Sequence, residues 1–136
     1  ADYMVRMSCD PVVAKDSTAY ATLNSVGPCG GSVSQLVVYD IKNIANPVLR
    51  QTHPLSVPYG LGISDSALYV CDGTFGLRVF NVKNTYNPQL LNTITGDTYY
   101  DVIPYGNILI CQVSNGLVLY DISIRQQPVF LSRLLN

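Results

Sequence analysis

The apolar positions of this chain fall into short runs rather than helical stripes, and one run recurs three times. Leu36-Val-Val-Tyr-Asp-Ile41, Leu77-Arg-Val-Phe-Asn-Val82 and Leu117-Val-Leu-Tyr-Asp-Ile122 start 41 and 40 residues apart. Seven residues after the Asp or Asn of each comes a proline: Pro47, Pro88 and Pro128. Such runs are too short and too β-branched for helices. A fixed period of about 40–45 residues holding several short strands marks a β-propeller blade. The fold class predicted is all-β: three four-stranded antiparallel sheets, the blades of a partial or half propeller. The whole chain, 1–136, reads as one domain with blades at approximately 9–55, 56–96 and 97–136.

The third unit is the plainest. Its strands are predicted at Asp101–Pro104, Asn107–Gln112, Leu117–Ile122 and Pro128–Leu134. Tyr105-Gly-Asn107 and Ser114-Asn-Gly116 are turns, and Asn-Gly is a strong hairpin signal. A proline opening the last strand fits a sheet edge, which can spare one donor. The second unit gives Gly60–Ile63, Ala67–Cys71, Leu77–Val82 and Pro88–Ile94, with Asp72–Gly76 as its central turn. The first gives Val12–Ala14, Thr18–Leu23, Leu36–Ile41 and Pro47–Thr52. Its second-to-third connection is longer by about eight residues, held in 24–33. Residues 1–8 align with the end of a fourth strand, Tyr3-Met-Val5 over Asn92-Thr-Ile94, like the tail of a preceding blade.

Composition narrows the reading. Hydrophobic residues are 48% and charged residues 12%, which excludes a disordered chain. Stacked blades cover each sheet on both sides, so near-continuous apolar strands are expected. The eight Lys and Arg are scattered, with no basic run for nucleic acid. No apolar run is long enough for a membrane span, and no secretory signal pattern is visible.

Gln35-Leu-Val-Val-Tyr-Asp-Ile-Lys-Asn-Ile-Ala-Asn-Pro47 and Gly76-Leu-Arg-Val-Phe-Asn-Val-Lys-Asn-Thr-Tyr-Asn-Pro88 resemble the LVIVD repeat, and Ala67-Leu-Tyr-Val-Cys-Asp-Gly73 fits the strand phrase before it. The resemblance runs from about residue 10 to 136; the third unit departs from it with Arg125-Gln-Gln127 before Pro128. It implies a propeller of the bacterial or archaeal cell surface or envelope, exported and often lipoprotein-anchored. It supplies no shared catalytic residues. Fold does not imply function.

Antiparallel order brings the links between blades and the second-to-third-strand turns to one mouth of the channel. That rim is expected to hold His53, Tyr59, Asp72, Thr74, Phe75, Asp97, Tyr99, Tyr100, Asp101 and Asn115. Tyr59, Asp72, Phe75, Asp97, Tyr99 and Tyr100 are the candidate ligand residues, for sugar or peptide; the plainer reading is ordinary solvated loops. No catalytic residues, cofactor or metal site are assigned. The single histidine, His53, has no triad or zinc partners at recognisable spacing and reads as a loop histidine. Asp72, Asp97 and Asp101 lack the spacing of a calcium loop. Gly60-x-Gly62 and Gly27-x-x-Gly30-Gly31 precede no helix that could hold a phosphate.

Of the four cysteines, Cys71 and Cys111 read as small buried hydrophobes in one shared slot at the end of strand two. Cys9 and Cys29 lie outside the repeat, on the same side of the first blade, and are expected to form a disulfide. It would close a loop of about 20 residues, stabilise by about 3 kcal/mol, and imply an oxidising compartment.

Three functions remain open at this point. The first is a non-catalytic binding or interaction module of the cell envelope. The second is a hydrolase or lyase acting on polysaccharide through facing rim carboxylates such as Asp72 and Asp97. The third is a structural piece of a larger propeller. Three blades leave two open sheet faces, with Val12 and Val13 expected on one and Leu109, Leu117 and Leu119 on the other. A homodimer closing a six-bladed ring, or the rest of a longer propeller, would cover them.

Overall fold

A computed structural model describes residues 11–25 and 33–136. Twelve strands form three antiparallel sheets in chain order. The first blade holds β1 (Val12–Lys15), β2 (Thr18–Leu23), β3 (Gln35–Asp40) and β4 (Val48–Pro54). The second holds β5 (Leu61–Ser64), β6 (Ala67–Cys71), β7 (Leu77–Asn81) and β8 (Gln89–Ile94). The third holds β9 (Tyr99–Tyr105), β10 (Ile108–Val113), β11 (Gly116–Asp121) and β12 (Val129–Leu135). Each sheet is a simple meander, and the described residues contain no helix. The all-β class and the three four-stranded blades are as the repeat predicts.

The repeated Asp or Asn ends the third strand of each blade. Asp40 Oδ1 accepts the amide of Lys42 at 2.9 Å, Asn81 Oδ1 that of Lys83 at 2.9 Å, and Asp121 Oδ1 that of Ser123 at 2.7 Å. The side chain offers the backbone a turn in place of a further ladder bond. The turn before each proline closes through main-chain bonds: Asn46 to the carbonyl of Asn43, Asn87 to that of Asn84, and Gln127 to that of Ile124. Because these bonds use only backbone, the third unit keeps the turn without asparagine. Each fourth strand starts one residue after its proline, at Val48, Gln89 and Val129, so no ladder donor is lost.

Strand alternation gives every blade a forward face toward the next blade and a backward face toward the one before. Tyr20, Leu36 and Val38 on the forward face of the first blade pack against Leu61, Leu68, Val70, Phe80 and Val82 of the second. The second blade's forward face, with Tyr69, Leu77 and Val79, meets Val102, Leu109, Val118, Tyr120 and Ile122 of the third. The sheets approach most closely at their inner strands. A Cβ on Gly60 would lie 2.1 Å from Asp101 Oδ1, and one on Gly62 would lie 2.8 Å from Pro104. The Gly60-x-Gly62 spacing thus serves the contact of β5 with β9.

Two hydroxyls cross these junctions in the same way. Tyr20 donates to the carbonyl of Thr85 at 2.6 Å, and Tyr69 donates to the carbonyl of Arg125 at 2.5 Å. Burial raises both phenols to about 12, so both stay protonated donors. Tyr69→Phe is expected to cost about 1 kcal/mol, because the partner carbonyl loses its donor; an unchanged denaturant midpoint would contradict that. Thr18 Oγ1 is the one buried side-chain polar atom without a partner among the described residues. Thr18→Val should therefore be neutral or stabilising in the same assay.

Several positions differ from the sequence reading. Leu109 is fully buried at the second junction rather than on the open face, because it pairs with Tyr120 and alternates with Ile110. Val13 packs on the first junction, opposite to the exposed Val12. Cys71 and Cys111 do not share a slot. Cys71 pairs with Leu77 and faces forward, whereas Cys111 pairs with Val118 and faces backward, so the two thiols enter one core from opposite sheets. Both are free and buried, and burial pushes each thiol up, Cys111 to about 12. The expected Cys9–Cys29 disulfide and the Tyr3–Val5 stub lie outside the described residues.

Candidate functional site

The turn between β6 and β7 and the links 55–60 and 95–98 come together as antiparallel order requires. Tyr59 donates its amide to the carbonyl of Cys71 at 2.8 Å, and Tyr99 donates to that of Gly73 at 3.1 Å. Thr22 Oγ1 and Asn24 Nδ2 hold the carbonyls of Tyr59 and Pro58, each at 2.7 Å. The backbone of this mouth is thus pinned by the strands on either side.

The candidate side chains separate into two groups. Asp72 is fully buried. Its Oδ1 accepts the amides of Ser56 at 3.0 Å and Val57 at 2.7 Å, and its Oδ2 accepts Arg78 Nε at 2.9 Å. Arg78 stands where the other blades carry Val37 and Val118, and this carboxylate is what satisfies it. Tyr99 is also buried, at the start of a β9 that begins two residues before the predicted strand, and its hydroxyl meets that of Tyr120 at 2.7 Å. Burial, and then the bond to Tyr120, push its pKa up. Both residues face into the scaffold rather than the rim.

Four residues remain toward solvent. Tyr59 and Tyr100 stack edge to face, with ring centroids 5.1 Å apart. Phe75 stands on the β6–β7 turn and is 52% exposed. Asp97 is gripped by Arg133 through two bonds of 2.8 and 2.9 Å, and that bond raises the arginine's pKa. No sequence signal marks Arg133, because it lies on β12, 36 residues from the Asp97 it pairs with. Asp97 lines an open polar depression of about 390 Å³ with Thr74, Gly96, Thr98, Ser114 and Asn115. Asp101 is exposed, with its Oδ1 accepting the amide of Val102 at 2.9 Å. Among the described residues no group of three or more His, Cys, Asp or Glu is placed to hold a metal ion.

His53 is not a loop residue. It lies on β4, half-buried and paired with Leu36, with its ring edge-on to Phe80 at 5.9 Å and its Nε2 3.0 Å from Gln51. Burial lowers its pKa below the ordinary 6.5. The folded chain therefore binds this proton less readily than the unfolded chain. The stability it allows is complete above about 6.5 and is lost as pH falls through the lower folded value. Removing the imidazole with His53→Phe should flatten the stability profile in that window, measured as denaturant midpoint against pH.

Comparison with protein-family models and with curated protein sequences found no match for this chain. Among the described residues no helix is long and apolar enough to cross a membrane.

Proposed function

We propose that this protein is a non-catalytic interaction module of a cell-surface or envelope propeller, and that its partner is a second copy of itself, closing a six-bladed ring. The observation that carries the partner is that the chain holds both halves of a junction it already makes twice. The forward face of the third blade presents Ile103, Ile110, Leu117 and Leu119, in register with faces that are buried in the first two blades. Ile103 is 58% exposed there, beside a shallow hollow that also touches Asp101, Gln112, Ile110 and Leu117. On the backward face of the first blade Val37 is buried, Ala19, Ala21, Tyr39 and Ile41 are half-buried, and Val12 is 62% exposed. An apolar surface of this extent favours association, and a two-fold axis satisfies both junctions at once.

The non-catalytic reading is supported by the state of the two carboxylates. Asp72 is buried against Arg78 and the amides of Ser56 and Val57, and Asp97 is paired with Arg133, so the two do not face one another as a free pair across the mouth. The envelope location rests on the resemblance to LVIVD repeats alone. A glycan or peptide at the mouth is favoured by the polar depression beside the Tyr59–Tyr100 pair.

Sedimentation equilibrium across the micromolar range tests the association. A mass of about twice 14.9 kDa is expected, whereas a cooperatively folded monomer throughout would overturn it. Glycoside or ester turnover abolished by Asp97→Asn would overturn the non-catalytic reading.

A further inference from the structure

The two internal junctions share a hydroxyl bond that the open one lacks. Tyr20, Tyr69 and Ile110 occupy one slot: they pair with Val38, Val79 and Leu119, the third residue of each repeated run. From that slot the two tyrosines reach Thr85 and Arg125, each three residues before the proline of the next blade. The matching position of the first blade is Ile44, and among the described residues no side chain donates to its carbonyl. Its side chain is 84% exposed. One end of the chain thus carries an unused acceptor, and the other carries an isoleucine where the donor would stand.

We infer that the junction between copies is built as the reversible one, and that Ile110 is the residue that makes it so. This deepens the self-association reading and rests on it. An apolar side chain at the slot keeps the dispersion and burial terms but gives no directional bond to the facing turn. The internal junctions are held by the covalent chain as well as by the hydroxyl, so they stay closed while the third opens and closes. A ring formed this way would open at the third blade without unfolding any sheet. Arginine or lysine at the slot would bury a charge when the junction closes, whereas isoleucine gains from burial without forming a directional bond.

The test is Ile110→Tyr, with Ile110→Phe as the control for ring size, and the dissociation constant read by sedimentation. Restoring the hydroxyl at both junctions of a two-fold ring should tighten association roughly 25-fold, about fivefold for each hydrogen bond. Ile110→Phe should fall well short of that. If the wild type associates but Ile110→Tyr is no tighter than Ile110→Phe, the inference fails while self-association stands. If neither the wild type nor Ile110→Tyr associates, both fail. A wild-type monomer converted to a dimer by Ile110→Tyr, and not by Ile110→Phe, would overturn self-association of the wild type and with it the inference of a reversible junction.

Discussion

Gly116→Ala should cost about 3 kcal/mol or more and lower the Tm by about 10 °C. Gly116 opens β11 with φ +147°, and an added Cβ would stand 2.0 Å from the Leu134 carbonyl oxygen. That oxygen belongs to the neighbouring strand, so relief requires β12 to move as a unit. Gly76, immediately before β7, stands in the equivalent place, with φ +114° and the Ile94 oxygen 2.5 Å from an added Cβ. The first blade has Gln35 there, with no positive φ. Gly96→Ala separates the two causes. Its φ is +107°, but nothing lies within 4 Å of the added carbon. It should show backbone strain alone, about 1 kcal/mol. Equal losses for the two variants, measured by denaturant unfolding, would mean that close approach of β12 contributes nothing.

Asp72→Ala should cost about 3 kcal/mol, because it strands Arg78 and leaves the amides of Ser56 and Val57 without their acceptor. Arg78 keeps 22% of its side chain exposed, which places the cost at the low end for a buried pair. Arg78→Val, matching the side chain found in the other blades, should offset part of the loss in the double variant. A coupling near zero in that cycle would show that the two side chains act independently.

How far the sequence reached follows from which interactions are local. The period fixed the strand count, since each repeat carries its own turn chemistry: the Asp or Asn that ends strand three bonds two residues ahead. The β9–β10 turn was visible through Gly106. Its counterparts Asp16 and Asp65, at φ 55° and 49°, were not, because aspartate does not announce a left-handed residue as glycine does. Face assignment needed register. A shift of one residue sends a side chain to the opposite side of a sheet, and the pairing of Leu109 with Tyr120 and of Cys111 with Val118 is what sets their faces. At the mouth, loop position alone could not reveal that Asp72 turns inward to Arg78 or that Asp97 meets Arg133. Those contacts join segments brought together only by the fold.

The pairing of open faces is the central claim, and a mixing experiment tests it most directly. Leu117→Glu places a charge on the forward face of the third blade, and Ala21→Glu places one on the backward face of the first. Neither side chain is part of an internal junction, so both variants should keep their far-ultraviolet β signal. In a head-to-tail two-fold ring each variant alone spoils both junctions and should sediment near 14.9 kDa. An equimolar mixture leaves one junction with two unaltered faces and should recover a species of about twice that mass. No recovery on mixing, or dimers that persist in each variant alone, would contradict the pairing of these two faces.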